Sequence, residues 1–390
     1  MKYLKVWLYA GIACGLLMTT VAAADETDQL IATIQQVGQQ GEGHEQATAA
    51  VRELSQADPA ALADILVALD TAGPLSANWL RGAFEAVAQR ALENDALPAE
   101  TLETFVLDRS HEPRARRMAY EWLLKADPSA EDRLIPEMIE DPSGEMRRDA
   151  VARLVAAANQ FLEDGEEAKA TTTFRQALKG AVDDDQVKAI VKPLKKLGET
   201  VDLQRHFGFV TNWHVIGPFD NTDMKGFDVT YPPEQELDLS AEYDGKEGTV
   251  RWEEFSTDDE YGTFDIAELT SPYKGAISYA ATEFVSPDGR DVEFRLGTAN
   301  AWKLWLNGEL LFAREEYHRG MQLDQYRVRG RLKPGRNVLL LKVCQNEQTQ
   351  DWAQKWSFQF RVCDFSGKAI LPVRSESAAR ESSTDGKPKS

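Results

Sequence analysis

Val292 to Arg314 reads VEFRLGTANAWKLWLNGELLFAR. Within it Trp302, Leu304 and Leu306 alternate with Lys303, Trp305 and Asn307. That period of two sets one face of a strand against a core and the other toward water. Asn307-Gly308 follows. Both central residues of a type I′ turn need positive φ, which Asn tolerates and Gly adopts freely, so this pair between alternating apolar runs predicts a β-hairpin.

The same texture extends to both sides of the hairpin. Aromatic and β-branched residues first gather at HFGFVTNWHVIGPFDN, from His206, where Gly217-Pro218 excludes a helix. TVRWEEFST, AISYAATEFVS, QYRVRGRLK, RNVLLLKVCQ and KWSFQFRVCD then recur between Pro-Asp-Gly, Asn-Gly and Pro-Gly turns. Short strands at even spacing predict an antiparallel β-sandwich or jelly roll over 206–373. NVLLLKVCQN and WSFQFRVCDF read as the two arms of one hairpin, with Cys344 near its turn. Cys363 would then lie about five residues, or ~16 Å, further along the ladder, beyond the ~7 Å that a disulfide spans. Two free thiols are expected.

Upstream, residues 25–205 are rich in Ala and Leu, poor in β-branched runs, and broken by Asp-Pro, Gly-Pro and Asp-Gly. They read as helix throughout. EPRARRMAYEWLL, from Glu112, repeats as SGEMRRDAVARLV, from Ser143, so that Arg116 falls on Arg147, Arg117 on Arg148, Ala119 on Ala150 and Leu123 on Leu154. A repeat near this period marks stacked helical pairs, each dependent on its neighbours for a core. The fold class expected is therefore α + β multidomain, an all-α helical-repeat solenoid followed by an antiparallel sandwich. Residues 1–24 have Lys2 and Lys5, an apolar stretch from Val6 to Val21, and Ala22-Ala23-Ala24 before Asp25. They read as a secretory signal peptide, with an uncleaved anchor as the alternative. Residues 374–390 lack apolar periodicity and read as a disordered tail.

The chain has 390 residues, is 43% hydrophobic and carries a formal net charge of -20, which becomes -22 once residues 1–24 are removed. It can bury sizeable cores. Such a charge disfavours nucleic acid and anionic membranes as partners. No later apolar stretch reaches the ~20 residues needed to span a bilayer. A secreted or periplasmic protein is expected.

Motifs for familiar chemistry are absent. There is no Gly-x-Ser-x-Gly, His-Glu-x-x-His, Gly-x-x-x-x-Gly-Lys or Gly-x-Gly-x-x-Gly. None of the five histidines, His44, His111, His206, His214 and His318, has metal-pair spacing. The expectation is a protein that is not an enzyme and uses no cofactor or metal. FDNTDMKGFD, with Asp220, Asn221, Asp223 and Asp228, offers oxygens that calcium could take but lacks the spacing of an EF-hand loop. A solvated turn is its plainer reading.

DPSGEMRRDAVARL, from Asp141, resembles HEAT-type repeats, in which a short Asp-Pro turn precedes Arg-x-x-Ala-x-x-x-Leu. In such repeats the arginines commonly brace turns. WHVIGPFDN, AISYAATEF, FRLGTANAWKLWLNGELLF, LKPGRNVLLLKV and WSFQFRV together resemble the galactose-binding-type jelly roll that accompanies many secreted bacterial carbohydrate-active proteins. That resemblance implies a sugar-binding module, a protease appendage or a spacer. Relatives often have Asp-Asp ahead of the Trp-Leu-Asn-Gly strand, where this chain has Asn300-Ala301.

Candidate ligand-binding residues follow from parity. Trp305, opposite in parity to the core-facing Trp302, is expected outside beside Asn307, where it would stack on a sugar ring. A covering loop or helix would bury it instead. Arg327, Arg329, Arg331 and Lys333 share the outer parity of one strand, about 6.6 Å apart. That spacing suits the anionic groups of an acidic polysaccharide, unless Glu293 and neighbouring acids pair with the stripe across strands. The expected function is noncatalytic binding: a polysaccharide, with a preference for acidic ones, on the jelly roll, and a protein partner on the helical repeats. A protein–protein scaffold without glycan binding is the alternative. A glycoside hydrolase, needing two carboxylates ~5 to 9.5 Å apart, is a third.

Overall fold

Among the described residues thirteen α-helices and twelve strands follow one another with little mixing, helices first. The computed structural model describes residues 26–373. The segments read as a signal peptide and as a tail lie outside the described residues. The chain divides into two compact units, one up to Ile190 and one from Val191, upstream of the change in composition at 205/206. Among the described residues no helix is long and apolar enough to cross a membrane.

The first unit is helical: α1 (26–35), α2 (His44–Leu54), α3 (Ala61–Leu69), α4 (Pro74–Glu93), α5 (Ala99–Leu107), α6 (Pro113–Ala126), α7 (Ala130–Leu134), α8 (Gly144–Glu163) and α9 (Glu167–Gly180). The next helix, α10 (Asp184–Lys196), contains the division between the units. Local chemistry starts the helices that the repeat marks. Pro113 opens α6 while the Glu112 carboxylate accepts from the N–H groups of Arg114 and Ala115, and Ser143 caps α8 through Met146 N–H. Leu66, Leu80, Phe84, Leu102, Val106, Ala119, Leu123, Leu134 and Ala150 share one core.

The repeated arginines have two fates, set by their parity on the helix. Arg116 is fully buried, and its guanidinium donates to Val106 O and to both oxygens of Asp141. Arg147, at the matching position, is buried and donates to Asp141 O. Their neighbours reach sideways: Arg117 pairs with Asp149 of α8, and Arg148 with Asp183 and with Asp185 of α10. These arginines brace turns and join successive helices.

The second unit contains α11 (Leu203–Phe207), the short α12 (Pro232–Gln235) and α13 (Ile266–Leu269), and all the strands. The strands are β1 (Asn212–Asp220), β2 (Glu242–Gly245), β3 (Gly248–Arg251), β4 (Glu253–Ser256), β5 (Phe264–Asp265), β6 (Ala276–Ser286), β7 (Arg290–Thr298), β8 (Ala301–Leu306), β9 (Glu309–Arg314), β10 (Tyr326–Leu332), β11 (Gly335–Gln345) and β12 (Ser357–Cys363). They form a six-stranded sheet, β4-β1-β6-β11-β8-β9, a four-stranded sheet, β10-β7-β12-β5, and the β2-β3 hairpin. Every pairing is antiparallel. Trp213, Ala280, Trp302, Leu304, Leu341 and Val343 of the large sheet pack with Phe294, Leu296, Phe358 and Phe360 of the small one.

The opening stretch is a hairpin and more. Asn307 and Gly308 have φ of 54° and 86°, as the turn type requires, and Leu306 faces Glu309 across the ladder. Between β7 and β8, however, the chain crosses from the small sheet to the large one at Ala299-Asn300. The buried Asn300 side chain braces that crossing, donating to Gln345 Oε1 and Lys355 O and accepting from Ser357 N–H.

β11 and β12 also differ from the expected single hairpin, since they lie in different sheets. Both cysteines are free and buried. Cys344 sits in a cluster on the outer face of the large sheet, whereas Val362 beside Cys363 points into the shared core. Cys363 therefore faces away from that core on the other side, so two sheets with ~10 Å between them separate the thiols.

Candidate functional site

The central strands of the large sheet are covered on both faces. The 221–252 excursion lays Phe227, Val250 and Trp252 over Ile216, Phe219, Ile277, Tyr279 and Trp305. Lys342, on β11, anchors it. Its ammonium is fully buried and donates to Phe227 O, Val229 O and Glu234 Oε1 at 3.0, 2.7 and 2.8 Å, while Tyr279 donates to the same carboxylate oxygen. Burial pulls the Lys342 ammonium below its ordinary pKa. For Tyr279, burial first and Glu234 second push the hydroxyl far up.

This covering layer corrects the sugar-stacking role expected for Trp305. The indole is only 7% exposed and belongs to the outer core. Strand parity separates the two faces of a sheet but does not report what lies above each face. Asn307 is likewise a turn brace: its Nδ2 donates to Asn337 Oδ1 and its Oδ1 accepts from Val338 N–H.

The arginine stripe lies on β10, an edge strand, with Arg327, Arg329 and Arg331 all exposed and Val328 and Leu332 buried. Arg331 pairs with Asp291 opposite, at 2.8 Å. Glu293 faces Arg329 in register but is buried and bound to Arg295. Arg329 instead stacks over Phe365, which is 52% exposed. Among the described residues Arg327 has no carboxylate within ion-pair distance. Beneath this face, Arg295 and Arg361 converge on Asp324. Burial raises the Asp324 carboxyl, but hydrogen bonds and charge from Arg361 and Arg295 outweigh it and hold the group below the ordinary aspartate value.

The loop considered for calcium is already served by an ammonium. Lys246 Nζ lies 3.1 Å from Asp220 Oδ1, 3.1 Å from Lys274 O and 3.3 Å from Thr222 Oγ1, and it also donates to Gly275 O. Hydrogen bonding from Thr222 and the Lys246 charge hold the Asp220 carboxyl low. Among the described residues no group of three His, Cys, Asp or Glu side chains is arranged to hold a metal.

Three loops converge where Asp220, Ala276 and Gln345 align at one end of the large sheet. They enclose an open depression of about 650 Å³ lined by Met224, Tyr317, His318, Asn346, Glu347, Gln348 and Trp352. Trp352 is 62% exposed and is the one exposed tryptophan among the described residues. It sits on a short turn, Asp351–Ala353, held because Ala353 O accepts from Lys274 Nζ and Gln345 Nε2. His318 stands perpendicular to the indole, with ring centroids 5.1 Å apart. Met224 and His318 are both held at φ 59°, a left-handed conformation that costs free energy in residues with a side chain and clusters at working sites. Asn346 Oδ1 accepts from Gln348 N–H, which orients the amide, and meets His318 Nε2 at 2.8 Å. An oxygen that only accepts places the imidazole proton on Nε2, leaving Nδ1 as the ring's acceptor when neutral.

The sequence contains one signal for this site. In NEQTQDWAQ, from Asn346, a lone tryptophan interrupts a polar run that is too short and too unpatterned to be a strand. The arrangement suits a flat, partly apolar ligand with hydroxyl groups, since an exposed indole on a fixed turn stacks and the surrounding amides and imidazole donate and accept.

No family model matches this sequence, and no curated protein does. Among solved structures, a β-glucosidase from Kluyveromyces marxianus is 9% identical with a TM-score of 0.25, covering 80% of this chain and 38% of its own. The same enzyme in complex with glucose gives 10%, 0.22, 77% and 37%. A GH31 α-xylosidase from Xanthomonas citri gives 11% and 0.19, covering 40% of this chain and 18% of its own. This chain thus spans less than half the length of the chains it matches. Because these are glycoside hydrolases, the expectation that the chain is not an enzyme is withdrawn. TM-scores this low assign neither a fold nor an activity in its place.

Proposed function

We propose that this chain is an exported saccharide-binding protein in which a galactose-binding-type jelly roll takes a glycan on the Trp352 platform and HEAT-type helical repeats engage a protein partner. The observation that carries the reading is the exposed Trp352 indole on a pinned turn, perpendicular to His318, above a depression of about 650 Å³. Aromatic surface held rigidly in water gains by covering the apolar face of a sugar ring. The Gln348 amide nitrogen and His318 Nδ1 would meet the ring's hydroxyls, while the buried Asn346 amide holds both side chains in position. Isothermal titration with a panel of soluble oligosaccharides, on wild type and Trp352→Ala, tests it. Binding that the substitution removes supports the reading, and no binding to any member of the panel refutes it.

A second surface favours acidic glycans. Arg327, which has no carboxylate partner among the described residues, and Arg329 present two cations on one edge strand, with the exposed Phe365 ring, from beyond β12, under Arg329, and guanidinium binds carboxylate or sulfate through a bidentate fork. On this reading an acidic polysaccharide would bind at Arg327 and Arg329, while Arg331 pairs with Asp291.

A further inference from the structure

The lining of the Trp352 depression carries a single charged side chain. It holds three aromatic or imidazole rings, the Met224 thioether, two amides and one carboxylate, that of Glu347, and no lysine or arginine. The surrounding cations are engaged by other groups: Arg319, next to His318, by Glu316, and Lys274, under the Trp352 turn, by Ala353 O. Lys225 Nζ pairs with Asp223 at 2.9 Å, and Lys246 Nζ is engaged by Asp220, Thr222 and two backbone carbonyls. Glu347 itself is anchored, because one oxygen accepts from the N–H of Asp223. Among the described residues its second oxygen has no hydrogen-bond partner. A fixed carboxylate beside an exposed indole is a favourable setting for a cation, through charge-assisted hydrogen bonding to the one and attraction to the π face of the other. An anionic sugar brought to the same place would meet the Glu347 carboxylate, with the Lys246 ammonium across Gly275 already engaged by other oxygens.

We infer that the platform selects glycans bearing protonated amines, that is, hexosamine units with free amino groups, over neutral and uronate glycans. The inference rests on the saccharide reading above. A sugar ring lies against Trp352 while its ammonium donates to Glu347, so ring and charge are recognised together. The arginine edge, which attracts acids, is a separate surface on the small sheet.

The test is calorimetric titration of the whole chain, below the pKa of the sugar amine and at fixed ionic strength. The ligands are glucosamine hexasaccharide, its fully N-acetylated form, cellohexaose and hexagalacturonate, each offered to wild type, Glu347→Gln and Trp352→Ala. Wild type is expected to bind the glucosamine oligomer about tenfold more tightly than cellohexaose, the combined size of an exposed ion pair and a cation–π contact. Glu347→Gln should bring that ratio to about one, and Trp352→Ala should remove binding. Equal affinity for cellohexaose, or a ratio unchanged by Glu347→Gln, overturns the inference while leaving saccharide binding standing. Tight glucosamine binding that survives Trp352→Ala also overturns it, because general attraction to an acidic chain of net charge -20 would then be the cause. Failure of every ligand refutes both the inference and the reading beneath it.

Discussion

The Arg116 guanidinium meets the Asp141 carboxylate through two hydrogen bonds, 2.8 Å from Nη1 to Oδ1 and 2.9 Å from Nη2 to Oδ2, with neither side chain reaching solvent. Asp141 also accepts from Ser143 N–H, and Arg116 from its other edge reaches Val106 O. The pair therefore fixes the turn into α8 against the end of α5. Removing Asp141 leaves the buried Arg116 guanidinium without a carboxylate, and removing Arg116 leaves the buried Asp141 carboxylate only the half-exposed Arg109, 3.3 Å away, and Ser143 N–H. Arg116→Ala and Asp141→Ala should each lose about 3–5 kcal/mol of stability, read as a lowered denaturation midpoint. The exposed pairs of Arg148 with Asp183 and Asp185 should give about 0–1 kcal/mol for Arg148→Ala.

Stability near the small sheet should depend on pH through Asp324. Its folded-state pKa is depressed, so the charged form contributes stability that is present above the ordinary value of 3.8 and lost as pH falls through the folded value. Asp324→Asn should be less stable than wild type at neutral pH, and the gap should narrow below about pH 4. Chemical denaturation across that range measures it, and a gap that widens on acidification would contradict the network described.

Calcium should leave the melting temperature unchanged, because the Lys246 ammonium already holds Asp220, Thr222 and the carbonyls of Lys274 and Gly275. Lys246→Ala should lower it by leaving those oxygens unpaired. A rise with millimolar calcium in wild type would show that the ion displaces the lysine.

The edge strand makes a separate prediction. Arg327→Ala with Arg329→Ala should remove salt-sensitive binding to a sulfated glycan, with a change of about 0.5 kcal/mol or less in stability. Unfolding at lower temperature in the double variant, with no glycan binding in wild type, would mark the stripe as structural.

How far the sequence could be read follows from what each signal encodes. The Asn307-Gly308 hairpin was legible because turn geometry is local. The repeated arginines were legible because two copies place Arg116 and Arg147 at the same helical phase. The sheet to which a strand belongs is not local information, so alternation in VEFRLGTA and AWKLWLNG could not show the crossing braced by Asn300. Nor could it show that β11 and β12 part company. Trp305 was misplaced for a related reason: parity identified its face, and residues more than fifty positions upstream, Phe227, Val250 and Trp252, cover it. Trp352 carried no periodic signal, since exposure on a loop is decided by the tertiary fold alone.

The two tryptophans supply the most direct measurement. Trp305→Ala, in the outer core, should cost about 3–5 kcal/mol of stability, whereas Trp352→Ala should leave stability within about 0.5 kcal/mol. Titrating wild type and Trp352→Ala with oligosaccharides while following heat release then tests the central claim. The account predicts binding to wild type that is lost in a Trp352→Ala protein of unchanged melting temperature. Oligosaccharide binding that persists undiminished in Trp352→Ala would contradict it.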